Sequence, residues 1–248
     1  MVSAALLTLY LGTLLFYTRK DFREYEAFKA VPNTAGRQRY YRQWLMQSLA
    51  LFGIGSLVGL ALIGRLPLLE QPLPAFTTAV SRWLPKVVFS ELSGFFFGML
   101  SSAVVSGLLL GLFLRKRGKA QQTTLVGNVE ALLPRNKPEK WWAVALALNA
   151  GLSEELFFRL LLPVLIYGVF GHVLFALAAA VVIFGLVHSY QGWVGVLFTT
   201  SMGTVFTGLY LATGSLWLVV ALHALVDLNG LVIQPFLRTQ WAKGIDRA

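Results

Sequence analysis

A chain of 248 residues with 56% hydrophobic and only 13% charged residues, and a mean hydropathy of +0.67, does not have the composition of a soluble domain, which carries about a quarter charged residues. Its net charge of +10 sits in hydrophilic segments bordering apolar runs, which argues against nucleic-acid binding and for membrane orientation and contact with anionic lipid. There is no cysteine, and so neither a disulfide framework nor a thiolate nucleophile or metal site.

The expected fold is all-α: one polytopic membrane bundle of about seven helices, with six to eight as the bracket. The N-terminus "MVSAALLTLYLGTLLFY" has no basic n-region or small-residue cleavage site and runs directly into "TRKDFR", so it reads as a retained first helix. Further apolar runs cover 45–64, 87–114, 141–170, 173–190, 193–212 and 216–236, several of them near the ~20 residues a bilayer core requires. The basic segments 18–43 and 115–140 read as cytoplasmic loops and 65–86 as an irregular, proline-bearing outer loop. This puts the N-terminus outside and the C-terminus in the cytoplasm. Gly55 and Gly59, Gly94 and Gly98, and Gly107 and Gly111 have the spacing of close helix packing. The whole chain reads as one membrane domain, with residues 1–140 holding the basic loops and 141–236 the apolar core.

The core raises a question at "NAGLSEELFFRLLLPVLIYGVF", residues 149–170, where charges lie within hydrocarbon. An ionised side chain at the centre of a spanning helix costs ~2.5–3.5 kcal/mol, so such residues generally face a cavity and carry function. Glu155 and Arg159 are four apart and can pair on one helix face. Glu154 is turned about 100° away and finds no partner on its own helix. Pro163 removes the N–H that would bond the Arg159 carbonyl, so the helix should kink or open one turn after the charges.

The remaining ionisable residues of the core lie on later helices. "IFGLVHSY" places Phe184 one turn before His188, and "ALHALVDLNG" places His223 and Asp227 one turn apart. At that spacing Asp227 can hold the His223 imidazole in one tautomer. His172, at an outer turn, reads as structural. Counted from the cytoplasmic boundaries, Glu154, His223 and Asp227 fall ~16–22 Å deep at 1.5 Å per residue, so they can meet. His188 lies near the end of its run, and the uncharged "SYQGWVG" turn after it is expected to end in a hydrated cavity.

A carboxylate and an imidazole can together deprotonate water, and a second imidazole can stabilise an oxyanion, which is hydrolytic chemistry. The alternative is zinc held by His188, His223 and Glu154, although H-E-x-x-H is absent. A proton relay or transporter is a further class; Glu91, with Ser90 and Ser93 beside it, would suit one, but no inverted repeat is visible. The polar side chains of "TTSMGTVFTG", 199–208, read as interhelical hydrogen bonding or cavity lining.

"EELFFR", "FGLVH" and "HALVD" resemble, in order, the E-E-x-x-x-R, F-x-x-x-H and H-x-x-x-(N/D) elements of the CPBP family, which groups type II CAAX prenyl endopeptidases with bacteriocin-processing and self-immunity proteins. The resemblance covers about residues 141–236. It implies an intramembrane endopeptidase in which Glu154 and His188 activate water, Arg159 holds Glu155, and His223 with Asp227 forms the oxyanion pocket. No cofactor is required on this reading. The implied partner is a membrane-associated protein or peptide substrate, which lipid modification would suit; the pattern of basic loops and the small size suit a bacterial plasma membrane. Asp227 departs from the Asn typical of the prenyl endopeptidases, so the substrate need not be prenylated. A non-catalytic scaffold or immunity protein is the alternative within the family.

Overall fold

The computed structural model describes residues 1–83 and 128–236, and every regular element among them is helical. The elements are α1 (Val2–Lys29), α2 (Thr34–Ser48), a π-helical turn (Leu49–Ile54), α3 (Gly55–Leu62) and α4 (Pro74–Trp83). After residue 128 follow α5 (Lys137–Glu155), a second π turn (Leu156–Leu161), α6 (Leu162–Phe170), α7 (Val173–Val187), α8 (Gly192–Thr213), α9 (Leu216–Leu228) and a third π turn (Asn229–Ile233). Four stretches, Val2–Lys29, Thr34–Leu62, Ser189–Thr213 and Leu216–Phe236, are long and apolar enough to cross a membrane. The predicted crossing 87–114, with Gly94, Gly98, Gly107, Gly111 and Glu91, lies outside the described residues.

The expected loop 18–43 is instead helical except for a tight turn. α1 continues through the basic segment to Lys29 because nothing in 18–29 breaks a helix. Lys20–Glu24 at 3.1 Å and Glu26–Lys29 at 2.6 Å also pair along its surface. The turn comes at Pro32, and Asn33 then caps α2 by accepting from the Gly36 N–H at 2.7 Å. The expected outer loop 65–86 likewise turns helical at Pro74.

Arg37, read from the sequence as one of the lipid-facing basic residues, is fully buried. Its Nε lies 2.9 Å from Glu139 Oε2, and its Nη2 donates to the Tyr41 hydroxyl and to the carbonyls of Ala131 and Leu133. The guanidinium also stacks 4.2 Å from the Phe28 ring, so one side chain joins α1, α2, the segment before α5, and α5 itself. Burial pushes the Glu139 carboxyl up. The Arg135 backbone N–H and the Arg37 hydrogen bond and charge outweigh it, holding the group below the ordinary glutamate range.

α5 packs along α9, and the approach is close enough to require glycine. A Cβ at Gly151 would stand 2.8 Å from the Ala224 Cβ and from the Val220 carbonyl oxygen. Gly59, expected at a packing contact, is at one: a Cβ there would meet Leu161 at 2.9 Å. This tight seam sets α5 against the helix that carries His223.

Candidate active site

Glu154 and Glu155 end the regular part of α5, and the backbone opens at once into the π turn that carries Arg159. Pro163, two residues into α6, accounts for the opening, since the Arg159 carbonyl loses its i+4 donor and the chain rewinds with a wider turn. The irregularity expected one turn after the charges therefore occurs among them. Its effect is to turn Phe157, Phe158 and Arg159 into the core, where all three are buried.

Glu155 and Arg159 pair as their spacing requires: Arg159 Nε lies 2.9 Å from Oε2, and Nη2 donates to Oε1 at 3.1 Å. The guanidinium lies 4.8 Å from the Phe184 ring and 5.8 Å from that of Phe206. Glu155 also reaches across to α9, where its Oε1 is 2.7 Å from His223 Nδ1. The carboxylate that orients His223 is thus Glu155. Asp227, expected in that part, approaches the other ring nitrogen, with Oδ2 3.8 Å from Nε2.

His188 caps the C-terminal end of α7. That helix has 15 residues, ~22 Å at 1.5 Å per residue, less than the ~30 Å of a hydrocarbon core, which leaves its end within the depth of the bundle. His188 Nδ1 lies 2.7 Å from the Phe184 carbonyl. A carbonyl only accepts, so Nδ1 carries a proton and, in the neutral imidazole, Nε2 keeps a lone pair. As the spacing predicts, the Phe184 and His188 rings pack, with centroids 4.9 Å apart.

Glu154 faces both imidazoles. Its Oε2 stands 3.8 Å from His188 Nε2 and 4.0 Å from His223 Nε2, and has no hydrogen-bond partner among the described residues. Side-chain exposure rises from 0% at Glu155 to 15% at Glu154 and 32% at Asp227, so the site opens past Asp227. His172 lies apart from this cluster, at the turn before α7.

The same three atoms were the candidate zinc ligands. Tetrahedral zinc with bonds of ~2.0–2.1 Å needs donors ~3.3 Å apart. Here the nitrogen–oxygen separations are 3.8 and 4.0 Å, and no group with metal-ligand spacing occurs among the described residues. The arrangement is too wide for that ion as it stands.

Residues 136–229 match the family model described as type II CAAX prenyl endopeptidase Rce1-like. The matched segment holds every residue of the cluster, and the resemblance carried by "EELFFR", "FGLVH" and "HALVD" is borne out there. At the level of the Rce1-like family the activity is that of a protease. No curated protein and no solved structure matches the chain.

Three features around the cluster were not found by sequence reasoning. The Glu155–His223 contact spans 68 positions, and nothing local signals it. Phe206 lies 5.3 Å from the His223 ring, inside a stretch read for its small polar side chains. Tyr190, with its ring 6.1 Å from that of His188, belongs to the uncharged "SYQGWVG" turn, which had already drawn notice.

Proposed function

We propose that this protein is an intramembrane endopeptidase that hydrolyses a peptide bond with water activated by Glu154 and His188. The observation that carries this reading is the unpartnered Glu154 Oε2 facing the free Nε2 of His188 at 3.8 Å. Both atoms are acceptors, and one water ~2.8 Å from each would direct its two O–H bonds at them. Glu154 takes a proton as the water oxygen bonds to the scissile carbonyl carbon, and the carbonyl π pair moves onto oxygen. Glu154 then returns the proton to the departing nitrogen as the C–N bond breaks, leaving a carboxylic acid and an amine.

His223, held by Glu155 through Nδ1, turns Nε2 toward the site, where as the imidazolium it donates to the oxyanion. Arg159 orients Glu155 through its contacts with both carboxylate oxygens, and Phe184 packs on His188. No metal takes part in this scheme. The substrate is a membrane-associated protein or peptide, the N-terminus lies outside, and the basic surfaces face a cytoplasm and anionic lipid, as in a bacterial plasma membrane.

The test compares membrane-protein termini by mass spectrometry in cells carrying the wild type or Glu154→Gln at matched expression. The amide preserves size and polarity while removing the base. A terminus present with wild type and lost with the variant supports proteolysis and identifies a substrate. Identical termini with an intact phenotype would refute the reading and favour a scaffold.

A further inference from the structure

The turn after His188 carries a phenol for which the scheme above has no use. Tyr190 lies in the 3-10 turn Ser189–Gln191, stacked near His188 at a ring angle of 34° and edge-on to Tyr25 of α1 at 5.3 Å. Gln191 Nε2 donates to its oxygen at 3.1 Å, and no acceptor among the described residues takes its proton. The turn is held in place from outside the matched segment. The Tyr25 hydroxyl donates to the Asn128 carbonyl, and the Asn128 N–H donates to the Gln191 carbonyl at 2.8 Å.

A count of donors shows what the site lacks. Hydrolysis of an amide develops negative charge on the carbonyl oxygen, which needs N–H or O–H groups aimed at it. As carboxylates, Glu154, Glu155 and Asp227 only accept. The His188 Nδ1–H is committed to the Phe184 carbonyl, and the His223 Nδ1–H to Glu155. Arg159 is sealed under Phe184 and Phe206, with no side-chain exposure. Among the described residues of this cluster, that leaves His223 Nε2–H, in the imidazolium, and the hydroxyl of Tyr190. An Asn at 227 would have supplied a second donor, whereas Asp227 as a carboxylate cannot.

We propose that Tyr190 is a further catalytic residue, its phenol O–H donating a hydrogen bond to the oxyanion beside His223. The hydrogen remains on the phenol oxygen throughout, and no bond to Tyr190 forms or breaks. This assignment rests on the endopeptidase reading.

The experiment uses the full chain in phosphatidylcholine vesicles with a farnesylated, internally quenched peptide ending in Cys-aliphatic-aliphatic-Met. Wild type, Glu154→Gln, Tyr190→Phe and a protein with 3-fluorotyrosine at 190 are compared. Phenylalanine keeps the ring contacts and removes the hydroxyl, both the donor and the acceptor for Gln191 Nε2, so kcat should fall ~10²-fold with KM within about two-fold. Fluorotyrosine keeps the O–H and should retain kcat within about three-fold, as a donor role requires. A Phe variant with kcat within about three-fold of wild type overturns the proposal, as does an equal loss in the Phe and fluorotyrosine proteins, which would mean packing alone. Equal, measurable cleavage by wild type and Glu154→Gln would instead overturn the endopeptidase reading, and this proposal with it.

Discussion

Glu155→Gln isolates the buried centre of the site, because one carboxylate there serves two helices. Its Oε2 faces Arg159 Nε at 2.9 Å and its Oε1 faces His223 Nδ1 at 2.7 Å, with neither Glu155 nor Arg159 exposed. Glutamine fits the space but sets an NH2 group against one of these donors and leaves the guanidinium without a counter-charge. Removing one partner of a buried pair costs ~3–5 kcal/mol, and most of that is the stranded charge. At ~2–4 °C per kcal/mol for a chain of this size, the apparent Tm should drop by ~6–20 °C. Peptide cleavage should be lost as well, since His223 is no longer held.

The double variant Glu155→Leu with Arg159→Met separates these two effects. Replacing both members by apolar side chains should return most of the stability, because no charge remains buried. Activity should stay absent, because nothing accepts from His223 Nδ1. Thermal melts of the purified protein and cleavage of the farnesylated peptide measure the two quantities. A Glu155→Gln protein melting within about 2 °C of wild type would refute the energetic reasoning. A double variant that cleaves normally would refute the orienting role of Glu155.

Other outcomes follow from particular contacts. The carboxyl of Glu139 is held below its ordinary value, so its stabilisation is complete at neutral pH and is lost as pH falls through the folded-state value, below the ordinary 4.5; melts from pH 7 to 3 should show this acid limb flattened in Glu139→Gln. Gly151→Ala forces a Cβ into Ala224 and the Val220 carbonyl oxygen at 2.8 Å, and should destabilise by ~1–3 kcal/mol as α5 moves off α9, read as a lower Tm. Asp227→Asn restores an amide donor beside His223, and in a Tyr190→Phe background it should recover part of the lost kcat; strict additivity of the two changes would count against a shared oxyanion. Dialysis against EDTA should leave peptide cleavage unchanged, and loss of activity restored by added zinc would require the three facing atoms to close up around the ion.

Much of this architecture can be read from the chain, for reasons that are local. Apolar runs must form helices in a membrane because every backbone polar group needs a partner, so the six predicted runs within the described residues are helices. Contacts three or four residues apart, such as Glu155–Arg159 and Phe184–His188, follow from helix geometry alone. The opening around Arg159 followed from the missing N–H of Pro163, although its position shifted by a few residues. Reading 18–43 as a loop failed because polar composition does not break a helix, whereas Pro32 does.

The sequence alone determined a helical membrane protein and supplied the carboxylates and imidazoles of its core in a recognisable order. Only the tertiary structure decided which of them meet. It placed His223 on Glu155 rather than on its helical neighbour Asp227, left Glu154 facing two ring nitrogens, buried Arg37 on Glu139, and put the Tyr190 phenol beside the cluster. Those pairings depend on how far one helix is rotated and shifted against another. That register is set by side-chain volumes along whole seams, such as Gly151 against Ala224, and no spacing within a single helix records it.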